Sequence, residues 1–194
     1  MMVIVMNSVL VISKTEKSVE PLEQLMTSAG YDNVVSAFAS VQAEELAGEN
    51  DFDVIVINTP ILDGGGIELS LRLSKSTTSG IFVLLKSEVY EKCCEALESG
   101  GVFAIKKPLN RSAFCQYLKI WEISKRRLGK LKNENAKLKS QVEEMKIINR
   151  AKFALMQCLT MSEHQAHRYI EKQAMDLRIS KLQVAQRVLS TYEL

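Results

Sequence analysis

Three lysines follow apolar segments in the first half of the chain. Lys14, Lys86 and Lys107 come after segments that predict strands, Ser13 precedes Lys14, and Asn58 ends another such segment. The carboxyl ends of parallel strands meet at one edge of a sheet, where such folds bind ligands. One hypothesis is therefore a shared pocket that binds an anion or a partner's carboxylate. The favoured interpretation is that these lysines are solvated and point apart.

A second group of candidate residues lies near the end of the chain. Its basic side chains can neutralise phosphates, and Tyr169 or His167 can stack on an unpaired base. The strongest candidates for contact with nucleic acid are Lys152, Arg178 and Lys181. The alternative is that the charges are solvated and that Tyr169 belongs to the core. The other basic residues of this group are Arg150, Arg168, Lys172 and Arg187.

Charge is distributed unevenly along the 194 residues. Residues 1–118 contain 9 Lys and Arg and 15 Asp and Glu, a net charge of −6, whereas residues 119–194 contain 16 and 8, a net charge of +8. An acidic N-terminal part and a basic C-terminal part indicate two functions. The basic part is the candidate for binding a polyanionic partner.

Composition narrows the class of protein further. Apolar residues make up 46% of the chain, which is enough for a buried core. No apolar run reaches the roughly 20 residues that span a bilayer, so we expect no membrane association. The apolar residues 1–6 predict the lead-in to a strand and lack the basic region of a signal peptide.

The four cysteines lack paired spacing. Free thiols in the reducing cytoplasm are the favoured interpretation. A metal site formed by Cys158, His164 and His167 is a weaker alternative, and we expect neither a metal nor a cofactor. Nothing in the sequence assembles a nucleophile, a base and an oxyanion site, so we do not expect an enzyme.

Strands and helices alternate over the first 115 or so residues. Short, continuous apolar runs such as those at residues 54–57 and 81–85 are typical of strands that are covered on both faces. Segments with helical spacing lie between them, for example Val19, Leu22, Leu25 and Met26. Five such strands predict a doubly wound α/β fold with a parallel sheet.

A heptad pattern follows, in a segment almost without Gly and Pro. The pattern predicts a coiled coil, in which Asn at position a fixes the register of a parallel dimer. Glu134 can pair with Lys139 of the partner helix, and the alternative is a long helix that packs on its own chain. Trp121 is assigned to position a one heptad before the seam, which consists of Leu128, Leu131, Asn135, Leu138, Val142 and Met145.

The last segment predicts three helices in a small bundle. The first continues the coiled coil and breaks at residues 160–163, where Ser162 and Gln165 predict a capping box. Ser180 is the expected cap of the final helix. Small alanines at helical spacing, among them Ala166 and Ala174, predict close helix crossings.

The first 118 residues resemble the receiver domain of two-component response regulators, which has a flavodoxin-like fold. The approach to Asn58 and the pair Lys107-Pro108 carry the resemblance. The family places two acidic residues at positions 13 and 14 to hold magnesium, an aspartate at position 58 to accept a phosphoryl group, and Thr or Ser at position 86. Here Ser13, Lys14, Asn58 and Lys86 occupy these positions, so the resemblance implies a receiver that is not phosphorylated there.

Residues 149–189 resemble the ANTAR domain of transcription antiterminators. The resemblance rests on Ala151-Lys152, Leu155-Met156, Ser162-Glu163, Ala166, Tyr169-Ile170, Ala174-Met175 and Val184-Ala185. Phe153 replaces the usual glycine. The resemblance implies binding to RNA hairpin loops in nascent transcripts by a dimer, which prevents terminator formation.

We therefore expect a receiver-like domain at residues 1–118, a coiled-coil dimerisation helix at 119–149 and an RNA-binding helical domain at 150–194. The expected sites on the last domain are Arg150, Lys152, Arg168, Tyr169, Arg178 and Lys181. A regulatory protein or a small ligand at the receiver would supply the signal. Two rival functions are a DNA-binding response regulator and a coiled-coil scaffold for another protein.

Overall fold

A computed structural model describes residues 7–192, which form five strands and seven helices. The predicted strand lead-in at residues 1–6 lies outside the described residues. The strands are β1 (Ser8–Ser13), β2 (Asn33–Ala37), β3 (Val54–Asn58), β4 (Gly80–Leu85) and β5 (Phe103–Lys106). The helices are α1 (Glu16–Ser28), α2 (Ser40–Glu49), α3 (Gly66–Ser76), α4 (Ser87–Ser99), α5 (Arg111–Leu159), α6 (Glu163–Leu177) and α7 (Lys181–Tyr192).

The five strands form one parallel sheet in the order β2-β1-β3-β4-β5. This order confirms the predicted doubly wound fold. Alternate residues of β1 point to opposite faces, so Leu10 and Ile12 join one apolar cluster while Val9 and Val11 join the other. Helices α2, α3 and α4 contribute to the first cluster, and α1 and the start of α5 contribute to the second.

Helix α5 is 49 residues long and begins by packing on the sheet. Phe114 and Leu118 are buried there, and the indole Nε1 of Trp121 donates to the carbonyl of Asp53 at 3.2 Å. The assignment of Trp121 to the heptad seam is therefore wrong. Its ring centroid lies 6.1 Å from that of Phe103 in the aromatic part of the sheet core. Phe114 and Trp121 are seven residues, or about two turns, apart, so both lie on the face of α5 that packs on the sheet.

The chain divides into two compact units, Met1–Glu122 and Ile123–Leu194. The second unit contains the rest of α5 together with α6 and α7, whose shared core confirms the predicted three-helix bundle. The domain boundaries at residues 118 and 149 stay predictions, since α5 runs unbroken through both positions. None of the helices between residues 7 and 192 has the length and apolar character that a bilayer crossing requires.

Replacing Gly80 by alanine should destabilise the first unit. A Cβ at this position would lie 2.5 Å from Cε2 of Trp121, and the large, packed indole has little room to move. We expect Gly80→Ala to lower the free energy of unfolding in urea by about 1–3 kcal/mol. The control is Gly48→Ala in α2, where nothing lies within 4 Å of the added carbon and stability should rise by about 1 kcal/mol. Equal stability of the two variants would contradict this packing.

Candidate functional site

Asn58 and Ser13 meet at the carboxyl edge of the sheet. Asn58 Nδ2 donates to Ser13 Oγ at 3.0 Å and to the carbonyl of Ser18 at 3.4 Å. Ser13 Oγ lies 2.7 Å from Ser18 Oγ, and the Ser18 side chain also contacts Thr15 at the start of α1. A neutral network of amide and hydroxyl groups thus links the ends of β1 and β3 to α1, and it offers no carboxylate.

Two of the three candidate lysines interact with each other. Lys107 Nζ donates to the carbonyl of Thr59, and partial burial, followed by the nearby charge of Lys86, lowers its pKa. Lys86 is the N-cap of α4 and lines a cavity of about 250 Å³ together with Thr59 and Pro60. Lys14 is exposed and is not among the residues that line this cavity.

The neighbouring acidic residues are held by backbone amides. Asp63 Oδ2 accepts from the Ser40 N–H at 2.8 Å, and hydrogen bonding to Ser40 lowers the pKa of the carboxyl group. Asp53 Oδ2 accepts from the Ser8 N–H at 2.9 Å, before the start of β3 and therefore at the opposite end of that strand from Asn58. These bonds give both carboxylates structural roles away from Asn58.

An exposed apolar stripe runs along the part of α5 that lies in the second unit. Leu128, Leu131, Leu138, Val142 and Met145 are each at least half exposed, from 50% to 63%. Asn135 is exposed among them at its heptad position. Large apolar side chains at a and d spacing require a partner surface, because water disfavours their exposure.

Small residues allow the helices of the C-terminal bundle to approach closely. Ala151 and Leu155 of α5, Ala166 of α6 and Ala185 of α7 are fully buried in one core. Ser162 and Gln165 form the predicted capping box, with the Ser162 N–H donating to Gln165 Oε1 at 2.8 Å. Ser180 and Gln183 exchange the same pair of bonds at the start of α7, so both helix starts match the sequence-based prediction.

Two of the candidate basic residues form ion pairs between helices at the surface of the bundle. Lys152 Nζ lies 3.1 Å from Glu163 Oε1, and its side chain is only 16% exposed. Lys181 Nζ lies 2.6 Å from Glu171 Oε1, and both Lys181 and His167 lower the pKa of Glu171. Each pair joins consecutive helices, so these lysines help to hold the bundle together.

The other candidate side chains differ in exposure. Arg150, Arg168 and Arg178 are exposed, whereas Tyr169 is half-buried against the bundle core. Arg178 has a left-handed backbone conformation (φ 52°) at the C-terminus of α6, where the next N–H, that of Ile179, bonds to the Ala174 carbonyl at 3.1 Å. Glycine is the usual residue in this conformation, which costs other residues about 1–2 kcal/mol.

Comparison with known proteins identifies both units. The response regulator receiver domain matches residues 9–119, more than half of the chain. The chain belongs to this family. The ANTAR domain matches residues 136–189, so this response regulator carries an ANTAR domain on its C-terminal helices.

A curated relative has the same regulatory character. The chain is 26% identical over 170 residues to the transcriptional regulatory protein PdtaR of Mycobacterium tuberculosis, in strains H37Rv and CDC 1551. The match covers 88% of this chain and 83% of PdtaR. This response regulator is therefore a homologue of a transcription regulator, and its family is regulatory.

Solved structures match the receiver fold. A response regulator receiver domain protein from Clostridium thermocellum is 18% identical, with a TM-score of 0.56, and the match covers 62% of this chain and 98% of that one. The signal receiver domain of an HD domain-containing protein from Pseudomonas fluorescens Pf-5 is 16% identical, with a TM-score of 0.55, covering 66% and 97%. At such identities the likeness concerns the fold alone.

The sequence-based predictions missed two residues at the carboxyl edge of the receiver sheet, Ser18 and Thr59. Ser18 completes the network around Asn58 but lies inside a helix, where a serine gives no specific signal. Thr59 was missed because its contact with Lys107 uses a main-chain carbonyl, which every residue possesses. Among residues 7–192, no group of three or more His, Cys, Asp or Glu is placed to hold a metal ion, and His167 instead pairs with Glu171 at 3.2 Å.

Removing the Ser162 cap should loosen the ANTAR bundle. The hydroxyl accepts from the Gln165 N–H at 3.3 Å, and Ser162→Ala leaves that N–H without its partner. We expect a loss of about 1 kcal/mol in the free energy of unfolding of the bundle, measured by helical circular dichroism in urea. Ser190→Ala in α7 is the matched control, since its hydroxyl bonds only to a carbonyl one turn earlier. Equal losses in the two variants would refute the role of the cap.

Proposed function

We propose that this response regulator is a dimeric RNA-binding antiterminator. It binds hairpin loops in nascent mRNA and prevents terminator formation. The observation that carries the proposal is that one unbroken helix, α5, supplies both the exposed apolar stripe and the first helix of the ANTAR bundle. Dimerisation through the stripe then presents two ANTAR domains together, as two adjacent hairpins require.

The charge of the bundle supports a polyanionic ligand. The chain beyond residue 118 has a net charge of +8, and the exposed arginines Arg150, Arg168 and Arg178 lie on or beside the ANTAR helices. Lys152 and Lys181 add positive charge to the bundle, and each is ion-paired with a glutamate. Tyr169 is half-buried against the bundle core, so only part of its side chain is accessible to a base.

Arg178 is the residue of the proposed RNA surface with the most specific structural support. An arginine at a position that favours glycine costs stability, and such an outlier suggests a functional side chain. The proposed role is a charge-assisted contact with a phosphate.

The signal in this proposal does not pass through phosphorylation of the receiver. Phosphoryl transfer requires an acidic acceptor and carboxylates that hold magnesium, whereas Ser13, Lys14 and Asn58 provide hydroxyl, amine and amide groups. A regulatory protein or a small ligand takes the place of the phosphoryl group. The cavity beside Lys86 and a second cavity of about 400 Å³ beside Tyr90 and Tyr117 are candidate contact surfaces.

DNA binding is the second candidate function. Only three residues, Arg178 to Ser180, separate α6 from α7, a turn length that also occurs in helix-turn-helix motifs. Gln183, Gln186 and Arg187 are exposed on α7, as in a helix that reads bases.

Sequencing of RNA crosslinked to the protein in cells tests the proposed function. We expect pairs of hairpins that lie upstream of terminators. Gel shifts with a recovered hairpin and with duplex DNA of the same sequence then separate the two candidates. Binding to duplex DNA alone would favour the DNA-binding regulator, and tight binding to another protein without nucleic acid would favour a scaffold.

Replacing Arg178 by glycine should separate RNA binding from stability. Arg178→Gly removes one phosphate contact, so we expect affinity for the recovered hairpin to fall about tenfold, the equivalent of about 1.5 kcal/mol. The slope of log affinity against log salt should also fall by about 0.7. The free energy of unfolding should rise by about 1 kcal/mol, because glycine relieves the left-handed backbone. Fluorescence anisotropy and urea unfolding measure the two effects.

The matched control for this variant is Thr160→Gly. Thr160 is exposed, is uncharged and has nearly the same backbone angle (φ 55°), so the change relieves the backbone without removing a charge. We expect higher stability with unchanged hairpin affinity. Equal hairpin affinity of Arg178→Gly and the wild-type protein would remove Arg178 from the RNA surface.

The receiver should take no phosphoryl group from acetyl phosphate with magnesium. Asn58→Asp alone should also fail, because positions 13 and 14 still lack carboxylates for the metal. The combination of Ser13→Asp, Lys14→Asp and Asn58→Asp supplies all three acids, and we expect it to gain phosphate in a phosphate-affinity gel. Phosphorylation of the wild-type chain would overturn this part of the proposal.

A further inference from the structure

Phe153 is exposed on the side of α5 that faces away from the bundle. Its side chain is 63% exposed, whereas Ala151 and Leu155, two residues before and after it, are fully buried against α6 and α7. Two residues correspond to about 200° around a helix, so Phe153 points away from the bundle core. A large aromatic side chain in this position calls for a partner surface.

The exposed apolar stripe of α5 continues to Phe153. Eleven residues separate Val142 from Phe153, and eleven also separate Met145 from Met156. Eleven residues make just over three turns, so the members of each pair lie within about 20° of one another around the helix. Asn149 lies four residues after Met145 and four residues before Phe153. The alternation of three and four residues along the stripe is therefore interrupted at Asn149 by two successive spacings of four.

The strict heptad leads to a different residue. It places Lys152 at position d, but this side chain is only 16% exposed and is ion-paired with Glu163 at the start of α6. A lysine held in this way does not offer an apolar contact to a partner helix. The available apolar side chains therefore follow an eleven-residue repeat at this point.

We propose that the dimer seam extends through Asn149 to Phe153 and to the exposed part of Met156, which also packs against its own bundle core. Its occupant is the same segment of a second copy of this chain. This inference rests on the proposed dimer. The change of repeat locally unwinds the left-handed supercoil. A cleft of about 180 Å³ beside Phe153 and Met156 provides space for a side chain of the second copy, and Asn149 and the ion pair of Lys152 with Glu163 form its polar wall.

The extended seam fixes the two ANTAR bundles relative to each other. A seam that ended at Met145 would leave nearly three helical turns between the last contact and the buried Leu155. With Phe153 in the seam, the dimer contact and the bundle core occupy the same turn of α5 on opposite sides. The spacing of the two proposed hairpin sites is then set by the dimer, and RNA contacts lie on surfaces other than Phe153.

Cysteine crosslinking of the full chain tests the repeat. Alanines replace Cys93, Cys94, Cys115 and Cys158, and a single cysteine is introduced as Val142→Cys, Lys152→Cys or Phe153→Cys. A short bismaleimide reagent then reports which positions approach their own copy. We expect strong crosslinking at positions 142 and 153 and weak crosslinking at 152.

The other outcomes are distinguishable. Crosslinking at 142 and 152 but not at 153 would show a strict heptad and overturn the inference. Crosslinking at 142 alone would end the seam before the bundle, and this too would overturn it, while the proposed dimer stands. Protection of Phe153→Cys from maleimide by hairpin RNA, without crosslinking, would assign Phe153 to base stacking instead. Absence of crosslinking at 142 would remove the proposed dimer itself.

A second variant tests the energetic role of Phe153 with the native cysteines in place. We expect Phe153→Ala to raise the dissociation constant of the dimer about tenfold in sedimentation equilibrium. Met175→Ala on α6 is the matched control, because Met175 is 78% exposed and lies outside the seam. An unchanged dissociation constant for Phe153→Ala would contradict the inference.

Discussion

The uncovered apolar stripe of α5 is the feature on which the rest of the second unit depends. Full burial of each of its leucine, valine and methionine side chains is worth about 1.5–3 kcal/mol. A helix of this length that contacts little of its own chain between Lys125 and Lys146 gains little from tertiary packing. In the proposed dimer, association through the stripe stabilises this part of α5, and the bundle at its end takes its position from the paired helices.

The receiver has kept the architecture of its family while changing the chemistry of one edge. Asn58, Ser13 and Ser18 satisfy one another by hydrogen bonds where acidic residues would repel. No metal is needed to neutralise such a group, so the edge is stable without an ion. Lys107 is held against a backbone carbonyl, which ties β5 to the loop after β3. The carboxyl edge of the sheet is thus held together by neutral side chains and by one lysine.

Much of this fold could be predicted from the sequence, because the strongest signals are periodic. Continuous apolar runs located the strands, the pair Ser162 and Gln165 located the start of α6, and Ser180 located the start of α7. Trp121 was misassigned because its spacing fits a heptad as well as it fits the helix face that packs on the sheet. Only the folded structure shows that it packs on the sheet. The burial of Lys152 depends on Glu163, eleven residues away, and no local pattern encodes that approach. The candidate RNA residues stay predictions, since charge and exposure describe many surfaces.

The ion pairs between helices have a consequence for any polyanion that binds the bundle. Lys152 and Lys181 already hold glutamate carboxylates, so a phosphate gains access to them only by exchange, and each exchange leaves an acidic group beside the incoming negative charge. The lysines then release fewer counterions than a count of basic residues suggests. If RNA binds as proposed, the placement of a few arginines therefore matters more than the total charge of the bundle, which favours a shaped ligand over an extended one.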